Sequence, residues 1–161
     1  MSMRTLSFIT PMAPTLVAEP PPGPGWLHEI KHDGYRTQLV IEGSQARAYS
    51  RRGLDWSDEY GIILNAALTL GCTSAILDGE VAVQNDAGVT DFSALRSAIK
   101  REPHRLIFFA FDLMHLDGED LRKRPIEERR EALRRLLNGA PPQLHFSEAV
   151  EIEGIDVFRS A

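Results

Sequence analysis

A chain of 161 residues with 43% apolar and 25% charged residues is long enough for one domain with a real core, and it has an ordinary globular composition. Its single cysteine, Cys72, excludes an intramolecular disulfide and a thiolate zinc cluster. No apolar run reaches membrane-spanning length, no signal-peptide core opens the chain, and the net charge of -5 argues against a broad nucleic-acid footprint. A cytoplasmic protein with no membrane partner is expected, and a local basic groove stays compatible with the negative sum.

Residues 1–25 hold six of the ten prolines and carry neither a helical nor a strand period. They read as an extended lead-in, with Phe8, Ile9, Met12, Leu16 and Val17 too apolar for a purely solvated linker. Strands are expected at 26–30 and 35–41, and between them lies Glu29-Ile30-Lys31-His32-Asp33-Gly34-Tyr35-Arg36, with Asp33-Gly34 read as a hairpin turn. Glu42-Gly43-Ser44 turns the chain into a third strand at 46–50, which ends in Ser50-Arg51-Arg52-Gly53. Ser57 is expected to cap a helix over 58–70 that packs through Tyr60, Ile63, Leu64 and Ala67.

Strand character returns at 74–84, around Leu77-Asp78-Gly79-Glu80. A second helix follows a cap at Thr90 or Asp91, carries Phe92, Leu95 and Ile99, and stops before Pro103. The run 106–114 is almost wholly apolar, which is the pattern of a strand buried on both faces. A turn at 116–124 leads into a third helix opened by Pro125, with Ile126, Leu133 and Leu137 on one face and Glu131 placed to pair with Arg134 or Arg135. A strand near 144–146 and a short helix beginning near Ile155 complete the reading.

Lysine next to two carboxylates and an arginine suggests nucleophilic chemistry. An amine attacks phosphorus or a carbonyl only when neutral, and neighbouring cations such as Arg36 and a metal ion, or partial burial, would lower the Lys31 pKa toward that state. The same residues admit two other readings. His28-Glu29-Ile30-Lys31-His32 satisfies the H-E-x-x-H pattern of zinc peptidases, which needs a helix that the flanking prolines and Asp33-Gly34 disfavour. A hairpin carrying incidental surface charge also fits.

Lys31-His32-Asp33-Gly34-Tyr35-Arg36 resembles the K-x-D-G-x-R signature of the covalent nucleotidyltransferases, which include ATP-dependent DNA ligases, RNA ligases and capping enzymes. Ser50-Arg51-Arg52-Gly53 is similar to their S-R-x-G element, Asp78-Gly79-Glu80 to D-G-E, and Phe111-Asp112-Leu113 to the segment whose ring stacks on adenine. The run Leu116-Asp117-Gly118-Glu119-Asp120-Leu121-Arg122 with Pro125 and Arg129-Arg130 resembles bacterial DNA ligases in particular. The resemblance implies an α+β fold of antiparallel β-sheets flanked by helices, as in the ATP-grasp-like adenylation domain of DNA ligases. It implies ATP and Mg²⁺ or Mn²⁺ as cofactors and nicked double-stranded DNA as partner of the intact parent. By the same resemblance Lys31 is the nucleophile; Glu29, Ile30, Arg36, Arg51, Glu80 and Phe111 bind the nucleotide; and Asp33 holds the metal or fixes the turn.

Two elements of that family, E-G-x-x-x-K and K-x-K, have no clear counterpart. Glu153-Gly154 begins like the first, but Phe158 stands where its lysine belongs. Residues 26–161 therefore read as a partial adenylation domain, cut before its C-terminal motifs and OB-fold, and the piece alone is expected to be weak or inactive.

Overall fold

The structure is a computed structural model that describes residues 5–150. The apolar run of the sequence becomes strand β5 (Ile107–Leu116), and the main sheet grows outward from it. Antiparallel to one edge lies β4 (Ser74–Ala82), then β2 (Tyr35–Glu42), then β3 (Gln45–Ser50). The other edge of β5 takes the short β6 (Glu119–Asp120), antiparallel, and β7 (Leu144–Phe146), parallel. A separate two-stranded sheet joins β1 (His28–Glu29) to β8 (Ala149–Val150). With helices α1 (Gly61–Ala67), α2 (Phe92–Arg101) and α3 (Ile126–Leu136), this is the α+β architecture of antiparallel sheet and helices that the sequence suggests.

Alternation along the strands divides the apolar residues between two faces. Leu39, Ile41, Leu77, Val81, Phe108 and Leu113 join Ile63, Leu95 and Leu133 from the helices in the larger core. Val40, Ile76 and Met114 face the other way, where Leu6 and Ile9 of the lead-in cover them. That strap is pinned by a reciprocal pair: Ile9 N donates to Gln38 Oε1 and Gln38 Nε2 donates to Ile9 O, both at 2.8 Å. Among the described residues no helix is long and apolar enough to cross a membrane.

Several boundaries differ from expectation for identifiable reasons. Residues 57–60 form turns, α1 starts only at Gly61, and the Ser57 hydroxyl accepts from Ala48 N at 3.1 Å, holding the turn to β3. β6 was not foreseen, and Pro125 sits one position before α3. Asp91 does cap α2, accepting from Ala94 N at 3.1 Å. The expected helix near Ile155 and the Glu153-Gly154 segment lie outside the described residues.

The expected hairpin at Asp33-Gly34 does not form, since β1 pairs with β8 and not with β2. Gly34 lacks the positive φ of a tight hairpin turn, and its requirement is space: a Cβ there would lie 2.1 Å from Val81 O. Gly79 is similar, in mid-strand, with a Cβ 2.5 Å from Phe109 O and from the Phe108 ring. Of the three Asp-Gly pairs 33–34, 78–79 and 117–118, only Asp117-Gly118 turns a two-residue hairpin, with φ of 45° and 90°. Replacing Gly79 by Ala should therefore destabilise the fold by about 1–3 kcal/mol. Gly61→Ala, where a Cβ meets open space at the start of α1, should be neutral or mildly stabilising. Urea unfolding of the two variants checks this contrast.

Candidate active site

One cavity of about 1170 Å³ opens on the sheet beside β2, β4 and β5, and Lys31, Arg36, Arg51, Glu80 and Phe111 all line it. Strand register explains how residues so far apart in sequence arrive together. Arg36 on β2 lies opposite Glu80 on β4, so both start from the same face of the sheet. On β5, Ala110 pairs with Gly79 and Asp112 pairs with Asp78, which leaves Phe111 without a partner on β4. A bulge of this kind re-aims the extra side chain, here into the cavity.

Arg51 arrives on the turn after β3, where Gly53 N donates to Ser50 O at 2.8 Å and Leu54 N donates to Ser50 Oγ at 3.1 Å. Pro14 from the lead-in, Trp56 and Tyr60, and Arg96 and Lys100 of α2 complete much of the wall. The α2 residues carried no signal in the sequence beyond ordinary exposed helix charge.

Electrostatics at the lysine differ from the sequence-based expectation. Lys31 Nζ lies 2.7 Å from Asp33 Oδ1 and its side chain is 82% exposed. That hydrogen bond raises the Lys31 pKa above the usual lysine value, with burial too slight to offset it. The expected depression by Arg36 is not found, because the Arg36 guanidinium is already engaged: Nε and Nη2 donate to Asp78 at 3.2 and 2.8 Å. Its Nη1 donates to Met12 O at 3.0 Å, and the group stands 5.5 Å from the Phe111 ring centre. Glu80 accepts from Gly34 N at 3.1 Å, and burial pushes its carboxyl above the usual range.

The remaining three residues singled out from sequence do not line the cavity. Ile30 is 54% exposed. Asp33 stands beside Lys31 while its own N–H donates to Thr90 Oγ1 at 3.1 Å. Glu29 points to Arg130 of α3, forming an ion pair with Nη1, and burial raises the Glu29 pKa despite that partner.

Arg130 and Arg129 were not recognised as structural from sequence. Arg129 grips Asp112 with Nε and Nη2 at 2.8 and 3.2 Å, and Arg130 is buried, with 6% exposure. The signal was present: Arg130 lies four residues after Ile126 and three before Leu133, on the apolar face of the helix. By contrast Glu131 pairs with Arg134 and Arg135 at 3.1 and 2.9 Å on the exposed face.

The H-E-x-x-H reading fails on its own requirement. His28 and Glu29 are in a strand, and the His32 ring stacks on Phe109 at 4.1 Å while its Nε2 lies 3.0 Å from Ser147 Oγ. Among the described residues no three His, Cys, Asp or Glu side chains are grouped to share an ion.

Burial, with His145 nearby, lowers the His32 pKa below the ordinary 6.5. The unfolded chain then binds this proton before the folded one does, so stability is full above about 6.5 and falls as the pH drops through the folded value. His32→Phe keeps a flat ring on Phe109 and should abolish this part of the acid loss. Urea unfolding at pH 7.5 and pH 5.5 should give a smaller difference for the variant than for the unaltered chain.

A family model described as an ATP dependent DNA ligase domain matches residues 15–161. The chain is 36% identical over 156 residues to a multifunctional non-homologous end joining protein LigD of Pseudomonas aeruginosa, covering 96% of this chain and 18% of that protein. It is 32% identical to DNA ligase C2 of Mycolicibacterium smegmatis, covering 92% and 44%. The crystal structure of the ligase domain from M. tuberculosis LigD matches with a TM-score of 0.73 at 32% identity, over 84% of this chain and 44% of that one. A mycobacterial DNA ligase D complexed with ATP and MES matches with a TM-score of 0.71 at 31% identity, over 83% and 43%. The chain thus spans less than half the length of these relatives, and within that span the sequence motifs, the sheet and the family model agree: it belongs to the ATP dependent DNA ligase domain family.

Proposed function

We propose that this chain is the nucleotide-binding part of an ATP-dependent DNA ligase that forms a lysyl-AMP intermediate and passes the AMP to a nick in double-stranded DNA. The observation that carries the reading is the convergence of Lys31, Glu80 and Phe111, from three separate stretches of sequence, on one cavity. In the reaction Lys31 Nζ bonds to the α-phosphorus of ATP, the bond from that phosphorus to the β-phosphate oxygen breaks, and pyrophosphate leaves. The AMP then moves to a 5′-phosphate, from which an adjacent 3′-hydroxyl displaces it. Dividing the condensation in this way replaces one difficult step with easier ones. The setting we propose is break repair in the cytoplasm, by analogy with the end-joining relatives.

Each lining residue has a chemical part in this reading. The Phe111 ring offers a flat apolar surface to adenine, Glu80 accepts from ribose hydroxyls, Arg51 supplies positive charge to the phosphates or to the strand, and Arg36, its charge balanced by Asp78, forms the wall beside Phe111. Glu29 and Ile30, outside the cavity, would contribute through the backbone that leads to Lys31. Asp33 holds the amine and keeps it protonated, so that proton must leave before attack. The resemblance calls for a divalent ion, for which Asp33, beside Lys31, is the carboxylate on offer; Mg²⁺ or Mn²⁺ would take most of its other oxygens from water and substrate phosphates. Bound there, such an ion would neutralise phosphate charge.

Two measurements test the reading. Titration with ATP should show Phe111→Ala weakened by about 1–3 kcal/mol, the usual worth of an aromatic platform under a base. Incubation with α-labelled ATP and magnesium should give slow, acid-labile labelling of the unaltered chain and none of Lys31→Ala. Label that persists without Lys31 would remove the nucleophile from this account.

A further inference from the structure

Lys31 has little grip of its own. Its ammonium is bonded to Asp33, itself exposed, and β1 ends two residues earlier after spanning only two residues. The place of the amine is therefore set by whatever fixes its neighbours. After the lysine, Asp33 N is held by Thr90 and Gly34 N by Glu80. A second anchorage holds residues on both sides of it, and it centres on Arg130 and Ser147.

Before the lysine, the Glu29 carboxylate takes a charged hydrogen bond from Arg130 Nη1. After it, His32 Nε2 meets Ser147 Oγ at 3.0 Å. The two anchors are joined, since Arg130 Nη2 donates to Ser147 O at 2.6 Å. Arg130 Nη1 also donates to Phe111 O at 3.1 Å, which ties the same guanidinium to the cavity wall. Ser147 is itself fixed, buried, with its N–H donating to Ala110 O at 2.8 Å. Neither Arg130 nor Ser147 lines the cavity.

We propose that Arg130 and Ser147 are positioning residues for Lys31, aiming the amine through Glu29 and His32 and setting it against Phe111 without touching the nucleotide. The proposal rests on Lys31 being the nucleophile. A planar fork can bridge the carboxylate and two carbonyls at once, whereas a lysine at position 130 would keep the charge and lose the bridging.

The test uses an acyl adenylate, a mixed anhydride of a carboxylic acid with the phosphate of AMP. A lysine placed beside the bound phosphate attacks the acyl carbon, forms an amide, expels AMP and gives its proton to solvent, so no turnover of ATP is needed. Peptide mass analysis reads the acylation rate of Lys31 against that of Lys100, a second amine in the wall of the same cavity. The unaltered chain should label Lys31 ahead of Lys100. Because small misplacements of a reacting group are costly, Arg130→Lys should lower the Lys31 to Lys100 ratio by about 10-fold and Ser147→Ala by about 3-fold. AMP affinity should stay within about 2-fold, a split that general loss of structure would not produce.

Should Arg130→Lys fail to fold, Ser147→Ala decides the matter alone. An unchanged ratio in the folded variants overturns the positioning role. Failure of Lys31 to react ahead of Lys100 in the unaltered chain would instead overturn the nucleophile itself, and the positioning role with it.

Discussion

The buried guanidinium of Arg130 is the constraint from which the rest of the site takes its shape. The segment carrying Lys31 has a two-residue strand before it and irregular backbone around it, so backbone hydrogen bonding alone cannot locate it. Arg130 joins that segment to α3, to the carbonyl of Phe111 and to Ser147, four pieces of chain far apart in sequence. Its guanidinium also sits 4.7 Å from the centre of the Phe146 ring. A desolvated charge tolerates this only with its donors used, so losing one of these partners leaves the guanidinium poorly compensated.

Against that framework, the sheet contributes register. Its pairing sets Arg36 across from Glu80, and the bulge at Asp78 and Gly79 turns Phe111 out of the alternation that would otherwise govern it. The missing side chain at Gly79 lets β4 and β5 approach there, with Phe108 and the Phe109 carbonyl filling the space a Cβ would need. Motif residues and core packing are thus one construction in this region. The D-G-E stretch supplies the space for the bulge and the carboxylate beside it.

Much of this was legible in the sequence where a pattern had one physical cause. Alternation and apolar runs marked β2, β4 and β5, and the Asp91 cap marked the start of α2. Legibility failed where one pattern has several causes. Asp-Gly means a hairpin at 117–118, but at 33–34 and 78–79 the glycine answers a neighbouring carbonyl that no local reading can see. For Arg130 the position on the apolar face of α3 is a local sign of burial, but the partners that hold Arg129 and Arg130 come from β5 and β1 and no local pattern names them. The Lys31 environment was misjudged similarly: Arg36 is near in sequence, yet Asp78 holds its charge and Asp33 governs the amine.

The proline-rich lead-in has a consequence for where this domain begins. Leu6 and Ile9 shield Val40, Ile76 and Met114, Ile9 completes the hydrogen bonding of buried Gln38, and the Met12 carbonyl meets Arg36. A chain shortened to start at Trp26 would wet three core side chains and leave the Gln38 amide without its partners, while loosening an arginine of the cavity wall. The stretch from Leu6 to Met12 is therefore part of the packed structure, a cover over the sheet face opposite the larger core.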